Sequence, residues 1–242
     1  MTPNREIQGL VYRLPKHGQI RIGKKTEKGY PTSLKHFRFT SPDRSAIEAV
    51  AAEYGGSVSS WMNGKNPEWE VLTEASEIAV MLPPDPIVGP MFEFWKQSVR
   101  LFECDRVTCT KVVNGPEGPE YQHVPCRCLD EGKDVCTPTT RLNVLLHNVP
   151  LGGAWQLRTG SRAAAEELPG MVQVVQLISQ RTMTPARLAI EPRTSKGLGK
   201  VKHYVVPVLR SGSTLAELMK QQQELEQLEA KGLLELEEPD TI

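Results

Sequence analysis

All five cysteines of this 242-residue chain fall between Cys104 and Cys136, and that clustering constrains the fold more than any other feature. The pattern is Cys104-x4-Cys109-x16-Cys126-x-Cys128-x7-Cys136. Disulfides use cysteines in pairs, so five would strand one thiol, and a reducing cytosol opposes such a framework in any case. A catalytic cysteine needs a base and an orienting group, not four companions. His123 is nearby in sequence, but nothing else points to a dyad. Zinc held by four thiolates fits the clustering, because thiolate is soft enough for the ion and four ligands complete its tetrahedron.

Cys126, Cys128 and Cys136 sit among Pro125, Gly132 and Pro138, on loop-like backbone where ligands can converge. The fourth ligand is Cys104 or Cys109. Cys109 lies in "RVTCTKVV", which is rich in β-branched residues and alternates like a strand. Cys104 precedes Asp105, where that strand begins and the chain can turn. The expected zinc ligands are therefore Cys104, Cys126, Cys128 and Cys136, with Cys109 as runner-up. A closed four-thiolate site has no position for a substrate water and holds a fold together rather than catalysing.

Around this cluster the pattern reads as α+β, with two β-α-β-β-like halves, an inserted zinc module and a C-terminal helix. "FRFTSPDRSAIEAVAAEYGG" begins as a strand and continues as a helix, with Ser41 as N-cap, Pro42 at the first helical position and Gly55 as C-terminal cap. Ala46, Ile47, Val50, Ala51 and Tyr54 form its apolar stripe. "EWEVLTEASEIAVMLPP" reads as strand, turn and strand. "AWQLRTGSRAAAEELPGMVQVVQLISQ" repeats the strand and helix, with Pro169 expected to break or restart the helix, and "ARLAIEPRTSKGLGKVKHYVVPVL" supplies two more strands. Each helix must bury its stripe on a sheet. The expected regions are 1–103, the cysteine module 104–138, the second half 139–212 and an acidic helix and tail 213–242. "PMFEFWKQSVRLF", leading into the module, reads as helical. In the last region Thr214 and Glu217 form a capping box, and Leu215, Leu218, Leu225 and Leu228 share one side of the helix.

Charge is unevenly spread although its sum is zero. Arg13, Lys16, Arg21, Lys24, Lys25, Lys28, Lys35 and Arg38 face only Glu27 in the interval they span, whereas Glu217 to Asp240 is interrupted by only Lys220 and Lys231. Around the cysteines, basic and acidic residues balance, which disfavours that module as a strong phosphate binder. The opening "MTPNREIQGLVYRLPKHG" lacks a signal-peptide apolar run. No segment approaches the roughly 20 apolar residues of a membrane span, and the expectation is a cytoplasmic protein without a membrane partner. Phosphate-loop, dinucleotide-binding, zinc-protease and nucleophile-elbow motifs are missing from the sequence. "GLGK" at Gly197–Lys200 is too short to replace them. His17, His36, His123, His147 and His203 are scattered. A non-catalytic role follows as the expectation.

Taken together, "FRFTSPDRSAIEAVAAEYGG", "CDRVT", "PCRC", "CTPTTRLNVLL" and "GAWQLRTGSRAAAEELPG" resemble the recombination directionality factors of actinophage large serine integrases. The resemblance runs from roughly Ile20 to Leu209, and the opening segment is similar to the Streptomyces temperate phage type. It implies a non-catalytic accessory protein of the host cytoplasm that binds a serine integrase. Such a factor activates attL × attR excision, inhibits attP × attB integration and meets DNA mainly through the integrase. It also implies that the cysteines at 104, 126, 128 and 136 are the recurrent ones. Leu218 and Leu225 are candidate contacts to the integrase. Two other classes stand beside this one: a zinc-stabilised DNA-binding transcription regulator, and an enzyme whose site carries no familiar motif.

Overall fold

The computed structural model describes residues 14–26, 28–96, 99–115, 118–126, 136–150, 152–177, 183–197 and 200–211, with isolated positions elsewhere, among them 128 and 132. Strands β1 (Lys16–Lys25) and β2 (Pro31–Ser41) lead into helix α1 (Arg44–Tyr54). Six strands follow, β3 (Val58–Asn63), β4 (Asn66–Leu72), β5 (Glu77–Leu82), β6 (Ile87–Lys96), β7 (Val99–Cys104) and β8 (Thr108–Gly115). Then come β9 (Gly118–Pro125), β10 (Thr137–Leu146), β11 (Ala154–Thr159), helix α2 (Arg162–Leu177), β12 (Thr184–Gly197) and β13 (Lys200–Ser211).

These strands form one mixed sheet of 13 strands, in the order β3-β4-β2-β1-β11-β10-β6-β7-β8-β9, with β5, β12 and β13 branching from the end of β10. The branch begins where Leu145 and Leu146 leave the main path and pair with Met81 and Val80 of β5. Among the described strands, β1 and β11 are the parallel neighbours. The expected α+β fold of two β-α-β-β halves is therefore overturned: the chain is mostly β, and strands from the two expected halves pair directly through β1 and β11. Local patterning cannot reveal such a pairing, because its partners lie far apart in sequence.

The sheet's inner face is an alternating set of buried apolar side chains, including Ile20, Phe37, Phe39, Leu142, Val144, Trp155 and Leu157. Helix α1 adds Ile47 and Val50, and α2 adds Ala164, Leu168 and Val172, all in one core with Val80, Leu188 and Val206 of the branch. Trp155 fills the centre, edge-on to Phe39 with ring centroids 5.2 Å apart. Gly18 lies against it, and an added Cβ would come 2.4 Å from the Trp155 ring.

Several local expectations shift. Ser41 still belongs to β2, paired with Trp69, so the helix starts later and Asp43 is its N-cap, accepting from the backbone N–H of Ser45 at 2.9 Å. Gly55 does end α1 with φ of 75°. α2 runs through Pro169 without breaking, because Ala164 and Leu168 before it and Val172 and Val175 after it are anchored in the same core. "PMFEFWKQSVRLF" is not helical but falls in the antiparallel strands β6 and β7. Its apolar residues alternate: Phe92 and Phe94 pack on the cysteine side with Phe102, while Glu93 belongs to an arginine cluster described below. β3 stands outside the expected elements; its hairpin signal is Asn63 followed by the two-residue loop Gly64-Lys65, with Gly64 at φ 66°.

Candidate metal centre

The cysteines meet on the arm of the sheet made by β6 to β9. Cys104 ends β7 and is the cross-strand partner of Cys109 on β8, so the two side chains share a face. Between them the chain turns sharply. The Asp105 carboxylate accepts from the backbone N–H groups of Val107 and Thr108, both at 2.7 Å, and Arg106 takes a φ of 78°, unusual for a side-chain-bearing residue. That turn aims the Arg106 backbone N–H at the Cys104 sulfur. Cys126 follows β9 and is drawn in by its own N–H to the Val107 carbonyl at 3.0 Å. Cys136 immediately precedes β10.

All five thiols are buried and none is in a disulfide. Cys104 Sγ lies 3.8 Å from Cys126 Sγ and 3.9 Å from Cys136 Sγ, and Cys136 also meets Cys128. The sulfurs of Cys104, Cys109 and Cys126 all lie within 4.8 Å of one another. A zinc–sulfur bond of about 2.3 Å sets tetrahedral sulfurs about 3.8 Å apart. The two separations at Cys104 match that edge and are far longer than a disulfide bond of about 2.05 Å. The residues present therefore fit a metal ion. Burial pushes the Cys104 thiol up, and burial with the Cys128 contact pushes Cys136 up to about 11. As thiols these groups are neutral near pH 7; an ion would replace their protons and couple binding to pH.

Among the described residues, the arm has little apolar cohesion of its own. Its separate core consists of the five cysteines, with Phe92, Phe94, Phe102 and Val124 packed only partly buried around them. So small an apolar cluster holds four strands poorly without a cross-link or a metal.

The structure thus gathers all five cysteines in one cluster, with Cys104, Cys109 and Cys126 mutually close, and it does not choose between Cys104 and Cys109. Leu218 and Leu225 lie outside the described residues. The Thr214–Glu217 capping box is present, with the Glu217 N–H donating to Thr214 Oγ1 at 3.2 Å and the Thr214 N–H to the Glu217 carboxylate at 2.7 Å.

Sequence reasoning missed Glu93. Its side chain is fully buried and paired with Arg141, Arg158 at 3.1 Å and Arg100 at 3.2 Å, and it accepts from Trp95 Nε1 at 3.0 Å. The signal was an acid set between aromatic residues in an alternating strand, "FEFW". Among the described residues no helix is long and apolar enough to cross a membrane.

A family model described as Gp3-like, recombination directionality factor-like, matches residues 17–212. That span contains all five cysteines, α1 and α2, and every described strand apart from the first residue of β1. No curated protein and no solved structure matches the chain.

Proposed function

The chain belongs to the recombination directionality factor-like family, and on that premise we propose that it is a non-catalytic accessory protein that binds a large serine integrase and reverses its preferred direction. In this reading it activates attL × attR excision and inhibits attP × attB integration. The observation that carries the proposal is the family match over residues 17–212.

The mechanism is a shift of populations. An integrase restrained by its own mobile parts rarely samples the arrangement that pairs attL with attR. A partner with higher affinity for that arrangement raises its population and needs no active site of its own. Moving from 1:99 to 99:1 takes about 5.5 kcal/mol of differential binding, within reach of an interface of about 1,600 Å². Because the factor must stay bound to hold the bias, it acts near stoichiometric amounts. Leu218 and Leu225 are proposed contacts, on the sequence pattern of an apolar stripe flanked by acids.

Zinc is the proposed metal, held by Cys104, Cys126, Cys128 and Cys136. The Arg106 N–H on the Cys104 sulfur supports Cys104 as a ligand, since a hydrogen bond to sulfur favours the thiolate form. With four thiolates the ion supplies cohesion and no catalytic chemistry. It ties the segment before β10 to the end of β7.

The test is a two-site plasmid assay with a cognate integrase. The protein alone should leave attachment-site DNA unchanged; added to integrase it should turn on attL × attR recombination and reduce attP × attB recombination. A protein that neither co-purifies with related serine integrases nor changes the direction of recombination ends this reading.

A further inference from the structure

A row of arginines crosses the sheet on the face opposite its core. Arg21 on β1 is the cross-strand partner of Arg38 on β2, and Arg158 on β11 is the partner of Arg141 on β10. β1 and β11 run in parallel with Ile20 level with Leu157, so the next position brings Arg21 beside Arg158. Four adjacent strands thus place arginines in one line, about 14 Å long at ~4.8 Å per strand. Tryptophans flank it: Trp61 stacks under Arg38 at 4.5 Å and Arg21 at 5.0 Å, and Trp95 under Arg158 at 4.7 Å.

Like charges placed directly opposite cost stability, and a fold that sets them so without full compensation usually has a use for them. Glu70 pairs with Arg38, and Glu93 with Arg141 and Arg158. Among the described residues, Arg21 makes one hydrogen bond, from Nε to Thr40 Oγ1 at 3.3 Å. Burial first, and neighbouring arginines next, push the pKa values of Arg21 and Lys16 down. Glu68 opposes that shift at both groups without reversing it.

Beside the middle of the row, where β11 ends, a cavity of about 590 Å³ opens; Arg21 and Arg158 line it with the hydroxyl-bearing residues Thr32, Ser33, Thr159 and Ser161, and Ile22, Tyr204 and Val205 bound it on the core side. Thr159 Oγ1 and Ser161 Oγ accept backbone N–H groups at 3.2 Å and 3.3 Å, which leaves their protons to donate. We propose that this cavity binds a phosphodiester of the DNA backbone, so that the protein touches duplex DNA through Arg21 and Arg158. The donor set favours phosphate over a protein carboxylate. The Arg21 guanidinium, the remaining N–H groups of Arg158, which shares its guanidinium with Glu93 at 3.1 Å, and four hydroxyls approach from more directions than a planar carboxylate's two oxygens can use, whereas a tetrahedral phosphodiester meets them. Arginine and Ser/Thr hydroxyls are the usual partners of DNA phosphates. One occupied site supplies little affinity and no sequence readout, so the contact positions DNA that the integrase already holds.

The site can be tested without integrase, so its failure and that of the directional reading are separable. Fluorescence anisotropy with a short random-sequence duplex, repeated over a range of NaCl concentrations, should show weak binding without sequence preference. Each phosphate neutralised adds about 0.9 to the slope of log K against log salt. Arg21→Gln should lower that slope by about 1, Arg21→Lys should keep most of it, and Arg187→Gln on the opposite branch should leave it unchanged. An Arg21→Gln protein that folds and keeps the wild-type slope overturns the proposal. If that variant does not fold, phenylglyoxal modification of the wild-type protein, read by mass spectrometry, decides. DNA should shield Arg21 and Arg158 and leave Arg187 reactive. Absence of shielding overturns the site, and equal shielding by poly-glutamate at the same charge concentration replaces DNA with an acidic protein segment.

Discussion

Glu93→Gln is the sharpest test of how the sheet is held together. The Glu93 carboxylate is fully buried beside Arg141, Arg158 and Arg100. Burial alone would push its pKa up; hydrogen bonds from Arg141, Trp95 and Thr139 outweigh that and hold it at about 2 against an ordinary 4.5. The gap, at ~1.36 kcal/mol per pH unit, corresponds to about 3 kcal/mol of folding stability. Because the folded pKa is depressed, this stability is present in full above about pH 4.5 and disappears as pH falls through about 2. At pH 3 about 1.4 kcal/mol should remain. The amide also leaves Arg141, whose side chain is only 16% exposed, without its anion, so the loss reaches the range of about 3–5 kcal/mol seen on breaking a buried pair, at its lower end. At pH 7 the variant should be less stable by about 3 kcal/mol and melt roughly 6–12 °C lower. Urea titrations of both proteins at pH 7 and pH 3 provide the assay, with the difference expected to shrink at the lower pH. A pH 7 difference below about 1 kcal/mol, or one that is the same at both pH values, refutes the assignment of Glu93 as the charge that binds the arginines.

Two further outcomes follow from the cysteine cluster and the last segment. Protein purified without chelator should carry about one zinc per chain; Cys126→Ser should lose the metal and lower the melting temperature, whereas Cys109→Ser should keep the metal, both read by elemental analysis and calorimetry. Metal loss from Cys109→Ser with retention in Cys104→Ser would exchange those two residues in the ligand set. A chain ending at Gly212 should fold, because the buried core lies between Ile20 and Leu209, but should activate attL × attR recombination less than the full chain. Full activity of that folded truncation would remove Leu218 and Leu225 from the integrase surface.

What could be read from the sequence was local. Cysteines clustered on turn-rich backbone can converge whatever surrounds them, and thiolates suit a soft metal ion. The strand-then-helix of β2 and α1, and of β11 and α2, was legible because a helix buries one side and its apolar residues recur at that period. The capping box at Thr214 and Glu217 was legible for the same reason: both partners lie three residues apart. The fold built from these pieces was not. "PMFEFWKQSVRLF" carries enough apolar residues for either a helix or a strand, and only the partner strand across from Phe94, with Phe102 on it, decides between them.

The same limit explains the surfaces. The sequence shows a basic stretch before residue 40, but it cannot show that Arg21 and Arg38 stand opposite each other, or that Arg158 and Arg141, more than a hundred residues later, extend their line. Likewise the sequence separates Cys104 from Cys109 as turn and strand, yet antiparallel pairing puts both on one face of β7 and β8. Composition and short-range periodicity therefore determined several of the local elements and the clustering of the thiols. Sheet register, which depends on pairing between residues distant in the chain, decided which charges meet, which are buried, and where an anion could be received.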